Sequence, residues 1–212
     1  MKRHRHWISG AVLAGGAVFS YPGRDYVLVG LMLFLPLLDR VWRVPALPRS
    51  RPHLLVWAAL LTGGIALLIW RPSEMPFALS TLLTAALPEE WFFRAYFMTQ
   101  LQTACLEHVA RMEQSGTRGT ITPPGFHFIP SGLHALTLWF PNVAASILFS
   151  LMHGLTRGWT AAVLVFVPSL FYGWLYQRTR DLPLLVLVHA LSNLVYVLFL
   201  AGFVTTWAPV LR

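Results

Sequence analysis

Apolar runs separated by short polar, proline or glycine joints recur along this chain from one end to the other. Read between those breakers, they fall at 7–21, 26–42, 53–70, 76–98, 141–156, 160–177 and 182–203. Their lengths approach the ~20 residues that a helix rising 1.5 Å per residue needs to cross a ~30 Å hydrocarbon core. The joints are "YPG" at 21–23, "VPALPRSRP" at 44–52, "RPSEMP" at 71–76 and "DLP" at 181–183. Proline removes a backbone donor and glycine frees the chain from helical geometry, so each joint predicts a helix end. Segment 131–140 ("SGLHALTLWF") is apolar but short, and reads either as an interfacial stretch or as an extension of the run that follows. No internal repeat is visible. The pattern predicts an all-α, polytopic transmembrane helical bundle of six to eight spans. Its N-terminal part, 1–75, consists of generic spans; its core is 76–203, with a polar cytoplasmic loop at 106–130.

Composition agrees with a chain whose main solvent is lipid. Hydrophobic residues make up 56% and charged residues only 11%, with a mean hydropathy of +0.60, whereas soluble domains carry about a quarter charged residues. The net charge of +8 forms no basic stripe interleaved with aromatics, which argues against a nucleic-acid partner. The arginines instead punctuate the apolar runs. With the N-terminus cytoplasmic, the inner side holds eleven basic residues (Lys2, Arg3, Arg5, Arg40, Arg43, Arg49, Arg51, Arg111, Arg118, Arg178, Arg180) and the outer side four (Arg24, Arg71, Arg157, Arg212). That asymmetry sets the expected orientation. The first 20 residues have the basic start and apolar centre of a secretory signal, but no small-x-small cleavage site follows, so they read as a first span or anchor. Cys105 is the single cysteine, which excludes a disulfide framework within one chain.

Against this background three polar groups stand out. "LPEEWFFR", 87–94, sets Glu90 and Arg94 four apart on one helical face, while Glu89 points about 100° away. One carboxylate is thereby neutralised and the other left available. Pro88 suits a first helical position, so Glu90 and Arg94 are expected to fix a helix start and its local charge. "FSLMHG", 149–154, places Phe149 and His153 on one face, and "VHALSN", 188–193, does the same for His189 and Asn193. Taken singly, each fits a snorkelling cluster, a structural histidine or an interhelical hydrogen bond. Together they are ionisable groups inside a membrane domain, where such groups mark function. Counting ~1.5 Å per residue from the expected span ends, Glu89, His153 and His189 all fall in the inner half or near the midplane, which permits a shared pocket. His4, His6, His53, His108, His127 and His134 have no such setting.

Neither a serine nucleophile elbow nor a GxGD-type aspartate pair is present, so the four groups suit direct attack by water. Glu89 is the candidate general base, with His153 holding and polarising the water. His189 and Asn193 are candidate donors to the oxyanion; Glu90, Arg94 and Phe149 support them. No cofactor is expected. A zinc peptidase using Glu89, His153 and His189 is one alternative, disfavoured by the nearby arginine and by the lack of an HExxH helix. A membrane scaffold or immunity-type binding protein without turnover is another, and a transporter fits poorly without repeat symmetry.

In order along the chain, "EEWFFR", "FSLMH" and "HALSN" match EExxxR, FxxxH and HxxxN. The chain resembles the CAAX-protease and bacteriocin-processing family, also called the ABI family of glutamic-type intramembrane proteases. The resemblance covers roughly 85–194, and "LFYGWLYQRTRDLPLLVLVHALSNL" is similar to that family's glycine-containing helix, turn and histidine helix. It implies a helical intramembrane endopeptidase acting on a membrane-anchored peptide or protein tail, with Glu89 as base. Two departures are visible: Ala95 follows the motif arginine where many members have glycine, and the chain is short beside eukaryotic prenyl-protein endopeptidases. Near-exclusive use of arginine over lysine points to a GC-rich bacterial genome, and so to a bacterial cytoplasmic membrane. The sequence carries no signature of an oligomeric state.

Overall fold

The computed structural model describes residues 5–45, 53–116 and 131–202, and all regular structure among them is helical. Helix α1 spans Arg5–Val18 and α2 spans Arg24–Phe34 before a 3-10 turn, Pro36–Leu38. Helix α3 is His53–Trp70. After a short 3-10 turn come α4 (Met75–Thr81), a wide π segment (Leu82–Ala86), α5 (Leu87–Glu90), a second π segment (Trp91–Met98) and α6 (Thr99–Gly116), joined without a break. This rod, 75–116, is called the motif helix below. The last three are α7 (Ser131–Arg157), α8 (Trp159–Thr179) and α9 (Leu182–Val195), the last continuing in a π turn, Tyr196–Leu200.

Among the described residues, two helices are long and apolar enough to cross a membrane, Trp159–Thr179 and Leu182–Leu200, or three if Leu54–Trp70 and Pro72–Arg111, bent by 111°, are taken as one. The expected all-helical class is borne out, while six to eight spans are not confirmed by the helices among the described residues. Helices α1 and α2 hold 14 and 11 residues, short of the ~20 needed. The 26–42 run is helical only to Phe34, because Pro36 cannot supply the next rung. Segment 131–140 extends α7. The stretch read as a loop at 106–130 is helical as far as Gly116, and its remainder lies outside the described residues.

The expected helix start at Pro88 is also corrected: the helix runs straight through it. A proline inside a helix loses one hydrogen bond and crowds the carbonyl four residues back. Here the residue before it, Leu87, already donates to Leu82, five residues back. Such wide turns accommodate the ring. In the second wide segment the carbonyls of Arg94 and Ala95 take side-chain donors, Thr99 Oγ1 at 3.0 Å and Trp42 Nε1 at 2.9 Å.

The motif helix lies at the centre of the bundle. Its Phe92, Phe93, Tyr96, Phe97 and Met98 are buried against Leu13 of α1, Met32 of α2, Phe149 of α7, Tyr172 of α8 and Leu185 of α9. Large apolar side chains face outward instead, among them Leu55 at 82% exposure and Val163 at 74%, as expected of surfaces turned to acyl chains. Polar groups are used inside: Asn142 Nδ2 of α7 donates to the Leu170 carbonyl of α8 at 3.0 Å, and Ser146 Oγ donates to Asn142 Oδ1 at 3.4 Å. The contact requires Gly173, because a Cβ there would collide with the Asn142 amide. Small residues allow this close approach in bundles where lipid removes the usual hydrophobic drive.

Three cross-links orient the ends. Arg24 Nη2 donates to the Thr156 carbonyl at 3.0 Å, joining the start of α2 to the end of α7. At the other end, Trp42 meets Ala95 and Trp57 Nε1 donates to Asp181 Oδ2 at 3.1 Å. The bundle therefore has one end carrying Arg24 and Arg157, and an opposite end carrying Arg43 and Arg180.

Gly173→Ala is expected to destabilise the bundle by about 1–3 kcal/mol, the usual cost of overpacking. Adding Asn142→Ala should recover part of the loss. Unfolding midpoints of the two variants in detergent check both statements; equal stability of Gly173→Ala and the parent would refute them.

Candidate active site

Residues 89 and 90 lie where the first wide segment hands over to the second, and the turn sends their side chains in different directions. Glu90 points into the bundle and Glu89 toward a cleft. Glu90 is 1% exposed and Arg94 0%. Their closest pair, Arg94 Nε and Glu90 Oε2, is 3.5 Å apart, a charge contact without hydrogen-bond geometry. The guanidinium is anchored elsewhere: Arg94 Nη2 donates to the Ser169 carbonyl at 3.0 Å and to Ser169 Oγ at 2.6 Å. It also lies 5.6 Å from the centre of the Phe149 ring. These acceptors and the aromatic face replace part of the hydration that burial removes.

His189 of α9 completes the cluster. Its Nδ1 is 2.7 Å from Glu90 Oε1, and its Nε2 is 3.6 Å from Glu89 Oε2. A carboxylate held beside an arginine accepts, so Nδ1–H donates and the ring is pinned with Nε2 toward Glu89. Tyr172 of α8 stacks on the same imidazole at 4.9 Å, and Phe149 meets its edge at 6.3 Å.

His153 reaches the cleft from α7. Its Nδ1 is 3.1 Å from the Phe149 carbonyl one turn earlier. A carbonyl can only accept, so Nδ1 carries the proton and Nε2 presents a lone pair. The Phe149 ring lies 4.4 Å from the His153 ring and 5.1 Å from that of Phe93, wedged between the two histidines.

Glu89 and His153 line one cleft of about 300 Å³. Its walls are Leu28, Val29 and Met32 of α2, Phe93 and Met152; Asp25, Tyr26, Thr156 and Arg157 lie toward the Arg24–Arg157 end. The structure thus brings Glu89, His153 and Phe149 to one cavity, with His189, Glu90 and Arg94 directly behind it. Asn193, one turn beyond His189, is half-buried and is not among the residues lining the cleft. Among the described residues, no three His, Cys, Asp or Glu side chains are placed to hold a metal ion.

Two contributors escape a reading by sequence motif. Ser169 and Tyr172 sit three apart on α8, one holding Arg94 and the other His189. The available signal is faint: two hydroxyl residues at helical spacing in "PSLFYG".

A family profile described as Rce1-like, type II CAAX prenyl endopeptidase, matches residues 71–195. The chain belongs to this Rce1-like family. The match takes in the motif helix, α7, α8 and α9 up to Val195, hence every residue of the cluster. The family is one of membrane peptidases, which makes the chain an integral membrane member of a protease family. No curated protein and no solved structure matches it.

Removing one partner of a buried ion pair strands the other charge, at a cost of about 3–5 kcal/mol. Arg94→Met is expected to destabilise the Rce1-like core by that amount. The double variant Arg94→Met with Glu90→Gln should be more stable than Arg94→Met alone. A double-mutant cycle on denaturant unfolding measures the coupling, and strict additivity would contradict it.

Proposed function

We propose that the chain is an intramembrane endopeptidase that hydrolyses a peptide bond in a membrane-anchored peptide or protein tail, using water activated by Glu89. The observation that carries this reading is the shared cleft of Glu89 and His153, with His189 Nε2 turned toward Glu89 at 3.6 Å.

A water between Glu89 and His153 meets two acceptors, the carboxylate and Nε2 of His153. Its two hydrogens are held and a lone pair is left for the scissile carbonyl. Glu89 takes one proton as the C–O bond forms, and the carbonyl becomes an oxyanion. His189 donates from Nε2 to that oxygen. With Nδ1–H committed to Glu90, this requires the imidazolium, and the count of charges suits it: Glu89 and Glu90 are offset by Arg94 and His189. Collapse breaks the C–N bond, and Glu89 returns its proton to the leaving nitrogen. The second water proton, held toward Nε2 of His153, stays on the new carboxyl group. The products are thus a carboxylic acid and an amine, which exchange that proton to become carboxylate and ammonium. Asn193 shares the face of His189 and is the second donor in this reading, reaching a bound substrate and not the empty cleft. No metal takes part.

The apolar walls at Leu28, Val29, Met32, Phe93 and Met152 suit a substrate that carries a lipid-like group, in keeping with the prenyl substrate in the family description. The remaining apolar helices, α1 to α3 and the first part of the motif helix, are assigned to the membrane on the strength of their outward apolar side chains. Arg40, Arg43, Arg178 and Arg180 at one end, against Arg24, Arg71 and Arg157 at the other, support a cytoplasmic N-terminus. The preference for arginine over lysine supports a bacterial inner membrane.

Glu89→Gln and His153→Ala, reconstituted in vesicles with a membrane-anchored reporter peptide, are expected to lose about 10²–10⁴-fold in cleavage rate while unfolding at the parent's midpoint. Chelators should leave the rate unchanged. Full activity in Glu89→Gln would end the glutamate reading, and chelator inactivation reversed by zinc would move the same residues to metal chemistry. A biological effect that survives Glu89→Gln would favour a binding protein without turnover.

A further inference from the structure

At the end of the bundle opposite the cleft lies a second cavity, of about 430 Å³, walled by Trp42, Arg43, Thr99, Gln100, Tyr176 and Arg180. We propose that it binds the phosphoryl headgroup of an anionic phospholipid.

Its position follows from the chain. Arg180 and Asp181 join two helices that are both long and apolar enough to cross a membrane. The joint between consecutive spans lies at a membrane surface, and Arg180 and Tyr176 carry the cavity there. Trp42 and Tyr176 wall the cavity together and Trp174 faces Arg178 on the same stretch of α8, aromatic residues of the kind enriched at headgroup depth.

Arg180 itself is unusual. Among the described residues it is the single non-glycine with positive φ, 53°. It closes α8 in the left-handed conformation that glycine or asparagine fills most easily. Chain geometry alone does not call for arginine, so its side chain must contribute something else. The guanidinium donates from Nη2 to Gln102 Oε1 at 2.8 Å and lies 5.6 Å from the centre of the Tyr176 ring. It is a fixed fork at the cavity wall, the geometry that matches a phosphate.

The charge balance selects an anion. Arg40, Arg43, Arg178 and Arg180 are all exposed at this end. The acids beside them, Asp39 and Asp181, are buried and engaged. Asp39 accepts from the Val41 amide and the Tyr96 hydroxyl, and Asp181 from the Leu184 amide and the Trp57 indole. A zwitterionic headgroup would bring its own cation against four arginines, whereas an anionic one would not. Exposed Val41 and Val44, at 60% and 59%, flank the cavity and give acyl chains an apolar surface that free phosphate would not use. Basic pockets between helices at a membrane face bind such headgroups in this way.

The test uses the full chain purified in a neutral detergent, titrated with phosphatidylglycerol, phosphatidylcholine or inorganic phosphate. Retained lipid is read by native mass spectrometry and the unfolding midpoint is recorded alongside. The parent should retain phosphatidylglycerol in preference to phosphatidylcholine. Arg43→Gln with Arg180→Asn, which keeps a residue suited to the left-handed position, should weaken phosphatidylglycerol binding by roughly thirtyfold, about fivefold per arginine. Arg43→Gln alone, at an exposed side chain, gives the single fivefold step should the double variant fold poorly. Three results would overturn the assignment: undiminished phosphatidylglycerol retention by the variants, equal retention of both lipids by the parent, or the whole midpoint shift produced by inorganic phosphate. Displacement of the lipid by a peptide with a free C-terminal carboxylate, but not by its amide, would give the pocket to substrate and likewise overturn it.

Discussion

The buried contact of Glu90 with Arg94 and His189 is the constraint on which the rest of this molecule depends. Two full charges in a lipid-embedded core are tolerated only if each is met by an opposite charge and by donors or acceptors fixed in place. That need draws four elements together. The motif helix supplies Glu90 and Arg94, α9 supplies His189, α8 supplies Ser169 and Tyr172, and α7 supplies Phe149. With lipid outside offering little hydrophobic drive between helices, such polar contacts and close small-residue packing decide the arrangement. The Gly173–Asn142 contact is the second kind, holding α7 against α8 so that Phe149 and His153 face the cluster.

Adjacent carboxylates acquire different roles through this geometry. Glu90 is locked by a cation on one oxygen and an imidazole on the other. Glu89, one residue earlier on the same turn, faces a cleft walled mostly by apolar side chains. The wide turns on either side of residues 87–90 let Pro88 pass within a continuous helix. Non-standard turns of this kind cluster at functional sites because they re-aim side chains without ending a helix.

The molecule is also polar from end to end. The cleft runs toward the end with Arg24, Asp25 and Arg157, whereas the basic cavity belongs to the end with Arg43 and Arg180. The proposed catalytic cleft and the proposed lipid site thereby lie at opposite ends, joined by the motif helix that runs past both.

Much of the site was legible in the sequence. The i and i+4 pairs Glu90–Arg94, Phe149–His153 and His189–Asn193 are fixed by helical spacing alone, and apolar flanks put them inside a membrane domain. An ionisable residue there is too costly to keep without use, so its presence is informative by itself. The helical class was equally plain, because apolar runs of that length have no other way to satisfy their backbone in lipid. The helix start at Pro88 was misread, and helix continues to Gly116 where a loop was expected from 106, since local breakers mark places where a helix can end and packing decides whether it does. Tertiary structure alone showed that His189 bonds Glu90 in preference to Glu89, that Ser169 and Tyr172 hold the cluster, and that Asn193 stands off the cleft. Those are contacts between elements, set by how helices rotate and approach one another, and no spacing within a single segment encodes them.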